Sequence, residues 1–138
     1  MSKLNVGDTL TMQTEVTEES AALNYGSGNL KNLFATPSLV ALMIEAASKL
    51  VDDTLEEGLV SVGKVASVTH DQPTVIGETI TVKVTVKNIV ADRIDIDMEA
   101  FDEIGQIGTG FNERHIVNKK GLLARASQRE EKLKNLDF

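Results

Sequence analysis

The chain contains no cysteine among its 138 residues, which excludes disulfides, thiol catalysis and metal centres built on thiolates. It also lacks tryptophan, and only 4% of its residues are aromatic, so any core must be aliphatic. His70 and His115 are the only two histidines. They leave little for a zinc centre, and no metal site is expected. The start, Met1 to Asn5, has no apolar signal core, and no run approaches the length needed to span a bilayer. A soluble, cytoplasmic protein with no membrane partner is the expectation.

Basic residues are also in short supply. Fourteen Lys and Arg against 21 Asp and Glu give a formal net charge of −7, which argues against a nucleic-acid partner, because phosphate backbones are held by clustered cations. A polyanionic small ligand could still be met by a local cationic rim, which a charge count cannot place. What is present in quantity is apolar: 41% of residues are hydrophobic. That suffices for one domain with a real core, and the chain is too short to suggest two.

Alternation of Leu10, Met12, Thr14 and Val16 with polar neighbours predicts a strand over 9–17. A loop rich in Gly, Ser and Asn follows at 24–29, where Asn24 and Tyr25 could close over a ligand. Thr36 then reads as an N-cap and Pro37 as the first residue of a helix running to about Asp53. Its apolar stripe comprises Leu39, Val40, Leu42, Met43, Ala46, Ala47, Leu50 and Val51. Four β-rich segments come next, at 59–70, 78–88, 93–102 and 106–117. Two of them alternate cleanly, with Ile80, Val82, Val84 and Val86, then Ile94, Ile96 and Met98, on one face. Residues 126–138 are mostly charged and read as a frayed tail or short surface helix. The order is that of an α+β domain over 1–125 with a charged C-terminal tail.

Several short pieces carry a family resemblance in their order and spacing. Phe34-Ala35-Thr36 is followed by Leu42-Met43 with an adjacent acid, Gly63, Val68-Thr69-His70, Gly108-Thr109-Gly110 and Glu113-Arg114. Together they resemble the fluoroacetyl-CoA thioesterase family and its hotdog-fold relatives. The resemblance implies an antiparallel sheet wrapped around one long central helix. It also implies an acyl-CoA substrate, with Thr36 and His70 catalytic and Gly63 and Arg114 binding the substrate. No cofactor is implied.

In that family a catalytic Glu stands eight residues after the Thr, where this chain has Ile44, and an acid, Glu45, follows it. One helical step turns the side chain by about 100°, so Glu45 points nearly opposite the centre of the apolar stripe. As a catalytic candidate it depends on a shifted helix or a partner chain; otherwise it is a surface carboxylate. The other residues also have plain structural readings. Thr36 can simply cap the helix, His70 can be a hydrogen-bonded strand end, and Arg114 can form a surface or inter-strand ion pair. His115, on the face opposite Arg114, is read as structural.

Two functions compete. In the first, His70 assists attack of water on the thioester carbonyl of a small acyl-CoA, and Thr36 orients the reacting groups. In the second, the chain binds CoA esters without turnover, having lost the Glu. A hydratase of the same fold is disfavoured, since no His stands where the central helix begins. Hotdog sites usually lie between subunits, so a homodimer is expected, with His70 of one chain facing Thr36 of the other. Specificity for fluoroacetate is not implied, because the loop before the helix is here the small, polar Gly26-Ser27-Gly28-Asn29.

Overall fold

A computed structural model describes residues 3–136 of the chain. Residues 1, 2, 137 and 138, at the ends of the expected domain and tail, lie outside the described residues. Strand β1 covers Thr9–Glu15, helix α1 Thr36–Asp52, β2 Leu59–His70, β3 Thr79–Val90, β4 Arg93–Phe101, β5 Gln106–Asn118 and helix α2 Lys119–Lys134. Two single 3-10 turns, Glu18–Ser20 and Ala22–Asn24, punctuate the connection from β1 to α1.

The five strands form one antiparallel sheet in the order β1-β3-β4-β5-β2, which α1 crosses on one face, touching every strand. The alternation in the sequence dictates this packing. Ile80, Val82, Val84 and Val86 of β3, and Ile94, Ile96 and Met98 of β4, all point into the core. They meet Leu39, Leu42, Met43, Ala46, Ala47, Leu50 and Val51 of α1, all buried. Val40, expected in the stripe, is only half-buried at its flank. No helix among the described residues is long and apolar enough to cross a membrane.

The helix start differs from expectation. Ala35, in extended conformation, is the N-cap, Thr36 is the first helical residue, and no side chain caps the end. The Thr36 hydroxyl is used elsewhere. At the other end of the chain, α2 begins at Lys119 rather than at 126, because the Asn118 side chain accepts from the Gly121 N–H at 2.9 Å and caps it. Only Leu122 of α2 is even half-buried, so its residues carry no packing period from which its extent can be read.

β2 is a sheet edge of unusual character. Gly63 to Ser67 are exposed along five consecutive residues, and the β2–β5 register shifts between Gly63 and Val65. The extra residue of this bulge, Lys64, frees the Val65 carbonyl from the ladder, and the Asn112 side chain takes it at 2.8 Å.

Candidate active site

The segment before α1 is fastened to the segment after β2. The Phe34 N–H donates to the Thr74 carbonyl at 2.8 Å and Leu33 bridges to Val75, while the Ala35 N–H donates to the Ser20 carbonyl at 2.9 Å within the β1–α1 connection. The N–H groups of Asp71 and Gln72 both donate to the Ile107 carbonyl, holding the end of β2 against β5. These ties bring the first residue of α1 to the last residue of β2. Thr36 Oγ1 and His70 Nδ1 lie 2.7 Å apart within one chain. The two residues, expected to face each other from different chains, are therefore in direct contact within one chain.

His70 is wedged in place. The Phe34 ring meets it edge-on, with centroids 6.2 Å apart and planes at 73°. Its Nε2 is buried and has no hydrogen-bond partner, a costly condition for an imidazole nitrogen in either tautomer. Nδ1 is thus the nitrogen in communication with the surface, through the exposed Thr36. Beside the pair opens a cleft of about 540 Å³ lined by Tyr25, Leu30, Leu33, Phe34, Thr36 and His70, with Asp71 to Pro73 at its rim. Its walls are mainly apolar, as in sites that receive a small molecule. Thr36 and Pro37, at the start of α1, line the cleft; in this first turn the N–H groups of Thr36 and Ser38 have no intrahelical acceptor and Pro37 has no N–H. Asn24, expected to face a ligand, instead donates its amide to the carbonyls of Glu18 and Glu19 and braces the loop. Tyr25 does line the cleft.

A second polar cluster sits toward the other end of β2. Arg114, expected to be able to form a surface ion pair, is buried beneath α1 at 4% exposure. Its Nε donates to Ser61 Oγ at 2.8 Å, Nη1 to Asn112 Oδ1 at 3.1 Å, and Nη2 to the Ser61 carbonyl at 3.0 Å and to Ser48 Oγ at 3.4 Å. Asp52 closes the network, accepting on Oδ1 from the Ser61 N–H and hydroxyl at 2.9 and 2.6 Å. Burial pulls the Arg114 guanidinium below its ordinary pKa, and the nearby Asp52 charge opposes that pull. Gly63 lies directly across the ladder from Arg114. A Cβ there would come within 3.2 Å of Nη1, so glycine leaves the guanidinium room at the exposed strand edge. The sequence reading missed Asp52, Ser61, Ser48 and Asn112. One signal was available: Asn112 and Arg114 share the period-2 face of β5 with Ile116, which packs against the core.

His115, read as structural, pairs with Glu113 at 2.7 Å. This hydrogen bond is the main reason that the Glu113 carboxyl titrates below its usual range. Gly108 and Gly110 allow a close backbone approach between β5 and β2, since a Cβ at these positions would meet the carbonyls of Thr69 and Ser67 at 2.6 and 2.9 Å.

Glu45 is exposed on the outer side of α1, without a hydrogen bond or ion pair among the described residues. Ile44 is half-buried. Position 44 stands two turns beyond Thr36, about 12 Å along the helix axis from the Thr36–His70 contact. Gly63 is also distant, seven residues from His70 along β2, or about 23 Å. The sequence-predicted residues thus form two groups, Thr36 with His70 and Gly63 with Arg114, and Glu45 joins neither.

Comparison with known proteins gives the family. Residues 16–120 match the fluoroacetyl-CoA-specific thioesterase family. A fluoroacetyl-CoA thioesterase from Streptantibioticus cattleyicolor is 31% identical over 97 residues, covering 70% of each chain. A hot-dog-like protein from Thermanaerovibrio acidaminovorans is 31% identical and superposes with a TM-score of 0.85, covering 90% of this chain and 91% of that one. A fluoroacetyl-CoA thioesterase variant solved in complex with acetyl-CoA is 25% identical with a TM-score of 0.84, over 91% of this chain and 98% of its own. The fold is the hotdog, and the chain belongs to the fluoroacetyl-CoA-specific thioesterase family.

Proposed function

We propose that the protein hydrolyses a small acyl-CoA thioester at the Thr36–His70 pair, working as a homodimer. The observation that carries this reading is the 2.7 Å contact between Thr36 Oγ1 and His70 Nδ1 at the edge of an apolar cleft. With Nε2 buried, the proton path runs through Nδ1. Water attacks the thioester carbonyl carbon while its proton passes to Thr36 Oγ1 and the hydroxyl proton passes to Nδ1. The oxyanion forms against the free N–H groups at the start of α1. When the intermediate collapses, the C–S bond breaks and the imidazolium returns its proton, by way of Thr36, to the thiolate. The products are a carboxylic acid and free CoA. The bound acetyl-CoA of the solved relative supports a small acyl group.

Dimerisation is supported by the exposed edge of β2. An unpaired edge of this length is a template for another strand. A two-fold axis through Val65, the midpoint of the exposed run, sets two β2 strands antiparallel and brings Gly63 and Arg114 of the partner subunit toward His70. The two residue groups, separated within one chain, then converge on one site. Light scattering at micromolar concentration is expected to give twice the 14.9 kDa chain mass, and a monomeric mass would remove this arrangement.

The second reading, a CoA-ester binder without turnover, is favoured by Ile44 in place of the family's Glu and by the unpartnered Nε2. It expects acyl-CoA to raise the melting temperature through linkage with no CoA released. Ile44→Glu probes the same position directly. A carboxylate reaching the site from the partner subunit is expected to raise kcat on acetyl-CoA by about tenfold or more, whereas an unchanged rate would show that position 44 does not reach it.

A further inference from the structure

Helix α2 is a basic rod on an acidic protein. It carries six cations and two carboxylates, a net of +4, which leaves −11 on the rest of the chain. Both carboxylates, Glu130 and Glu131, are engaged by Lys134. Arg125, Arg129 and Lys132 follow one another at helical spacings of four and three, so they share one face. No ion pair engages them among the described residues. The helix is exposed along its length and packs chiefly against the end of β5.

Its root fixes where it can act. The Lys119 N–H donates to the Gly58 carbonyl at 2.9 Å, and Asn118 pairs with Leu59, so α2 springs from the start of β2. Pairing of β2 across a two-fold axis at Val65 sets Leu59 of one copy beside Asp71 of the other. The root of α2 is therefore set beside the rim of the partner's cleft, formed by Asp71, Gln72 and Pro73.

We infer that Arg125, Arg129 and Lys132 bind the pyrophosphate and ribose 3′-phosphate of the CoA whose thioester lies in the partner subunit's cleft. The inference rests on the dimeric acyl-CoA reading above and assigns its nucleotide end. Charge complementarity supports it: a polyanion approaching a protein of net −7 finds this local stripe of unpaired cations at one cleft mouth, and guanidinium groups suit phosphate oxygens. The pantetheine arm gives the reach, since it carries the phosphates away from the thioester while α2 extends about 24 Å from its root.

The test compares wild type with the triple variant Arg125→Glu, Arg129→Glu, Lys132→Glu and its milder Gln counterpart. Acetyl-CoA and acetyl-pantetheine, which lacks the nucleotide, serve as substrates, and calorimetry gives Kd for CoA. The expected result is a rise in KM for acetyl-CoA and in Kd for CoA of about tenfold or more, shrinking at high salt. Acetyl-pantetheine kinetics and kcat should hold. Equal CoA affinity in wild type and both variants overturns the inference, as does an equal loss on both substrates. Loss of binding to anionic lipid vesicles with CoA affinity intact also overturns it and assigns the helix to a membrane surface. If wild type turns over neither substrate yet binds CoA through the stripe, the hydrolase reading falls and this one stands. If all three proteins turn over both substrates with unchanged KM, the hydrolase reading stands and this one falls.

Discussion

His70→Ala is expected to lower kcat/KM for acetyl-CoA by about 10²–10⁴-fold, the usual contribution of a positioned acid–base group. Thr36→Val should cost a comparable factor, because it removes the oxygen that joins His70 to the cleft. The double variant should then be little worse than either single one, since two residues in one proton path act as a unit. Additive losses would mean that Thr36 and His70 contribute independently, and the 2.7 Å contact would then be structural only. Thr36→Ser is the informative control. It keeps the oxygen and should keep most of the rate. Removing the imidazole also relieves a buried nitrogen without a partner, so His70→Ala should not unfold the protein, although it leaves a gap beside Phe34. Retained melting temperature with lost turnover would mark a residue kept for chemistry at some expense of stability.

The largest effect on stability is expected at Arg114. Its guanidinium donates to Ser61, Asn112 and Ser48 in a buried setting, with Asp52 accepting from Ser61 beyond it. Arg114→Leu would leave the Asp52 charge without its nearby cation and the Ser61 and Asn112 oxygens short of donors. Breaking a buried charged network from one side costs about 3–5 kcal/mol, a large share of the roughly 5–15 kcal/mol that stabilises a typical domain. The melting temperature in the absence of ligand should fall by about 10–20 °C. Arg114→Lys keeps the charge but replaces a rigid fork with one flexible ammonium, so it should lie between the two. Thermal denaturation of ligand-free protein is the right measurement, because a residue serving only to bind substrate would leave that curve unmoved. An unchanged melting temperature for Arg114→Leu would assign the network no structural weight.

These two positions also show where reading the sequence succeeded and where it stopped. The strands were legible because Ile80 to Val86 and Ile94 to Met98 alternate, and α1 because its apolar residues recur at helical spacing before a Thr-Pro start. Periodicity reports which face is buried, and here each face had one clear answer. α2 was read only in part, as a frayed tail or short surface helix from 126, for the same reason: with nothing fully buried, it has no period to mark its start. Thr36 carried two compatible readings, a cap and a catalytic oxygen; its hydroxyl does not cap α1 but contacts His70, a long-range pairing that local sequence does not express. Arg114 looked like a surface charge because its partners lie far away in sequence, Ser48 and Asp52 on α1 and Ser61 on β2. Sequence spacing cannot express such long-range pairing. Position 44 was legible as a departure from the family, and the helix rise sets it about 12 Å along the axis from Thr36.

The acidic body with its basic helix has a kinetic consequence as well. A CoA ester is repelled by the bulk of the molecule and attracted by α2, which favours approach from one side. Association should therefore weaken as salt rises, the opposite of what repulsion by a protein of net −7 would give.

The central claim is that the Thr36–His70 site cleaves thioesters although Ile44 replaces the family's Glu. It is tested most directly by the steady-state release of CoA from acetyl-CoA, followed with a thiol reagent. The chain has no cysteine, so every thiol detected comes from the substrate. Many turnovers per chain by wild type, with release by His70→Ala lower by about two orders of magnitude or more, is the expected result. No release by wild type, or equal release by wild type and His70→Ala, would contradict it.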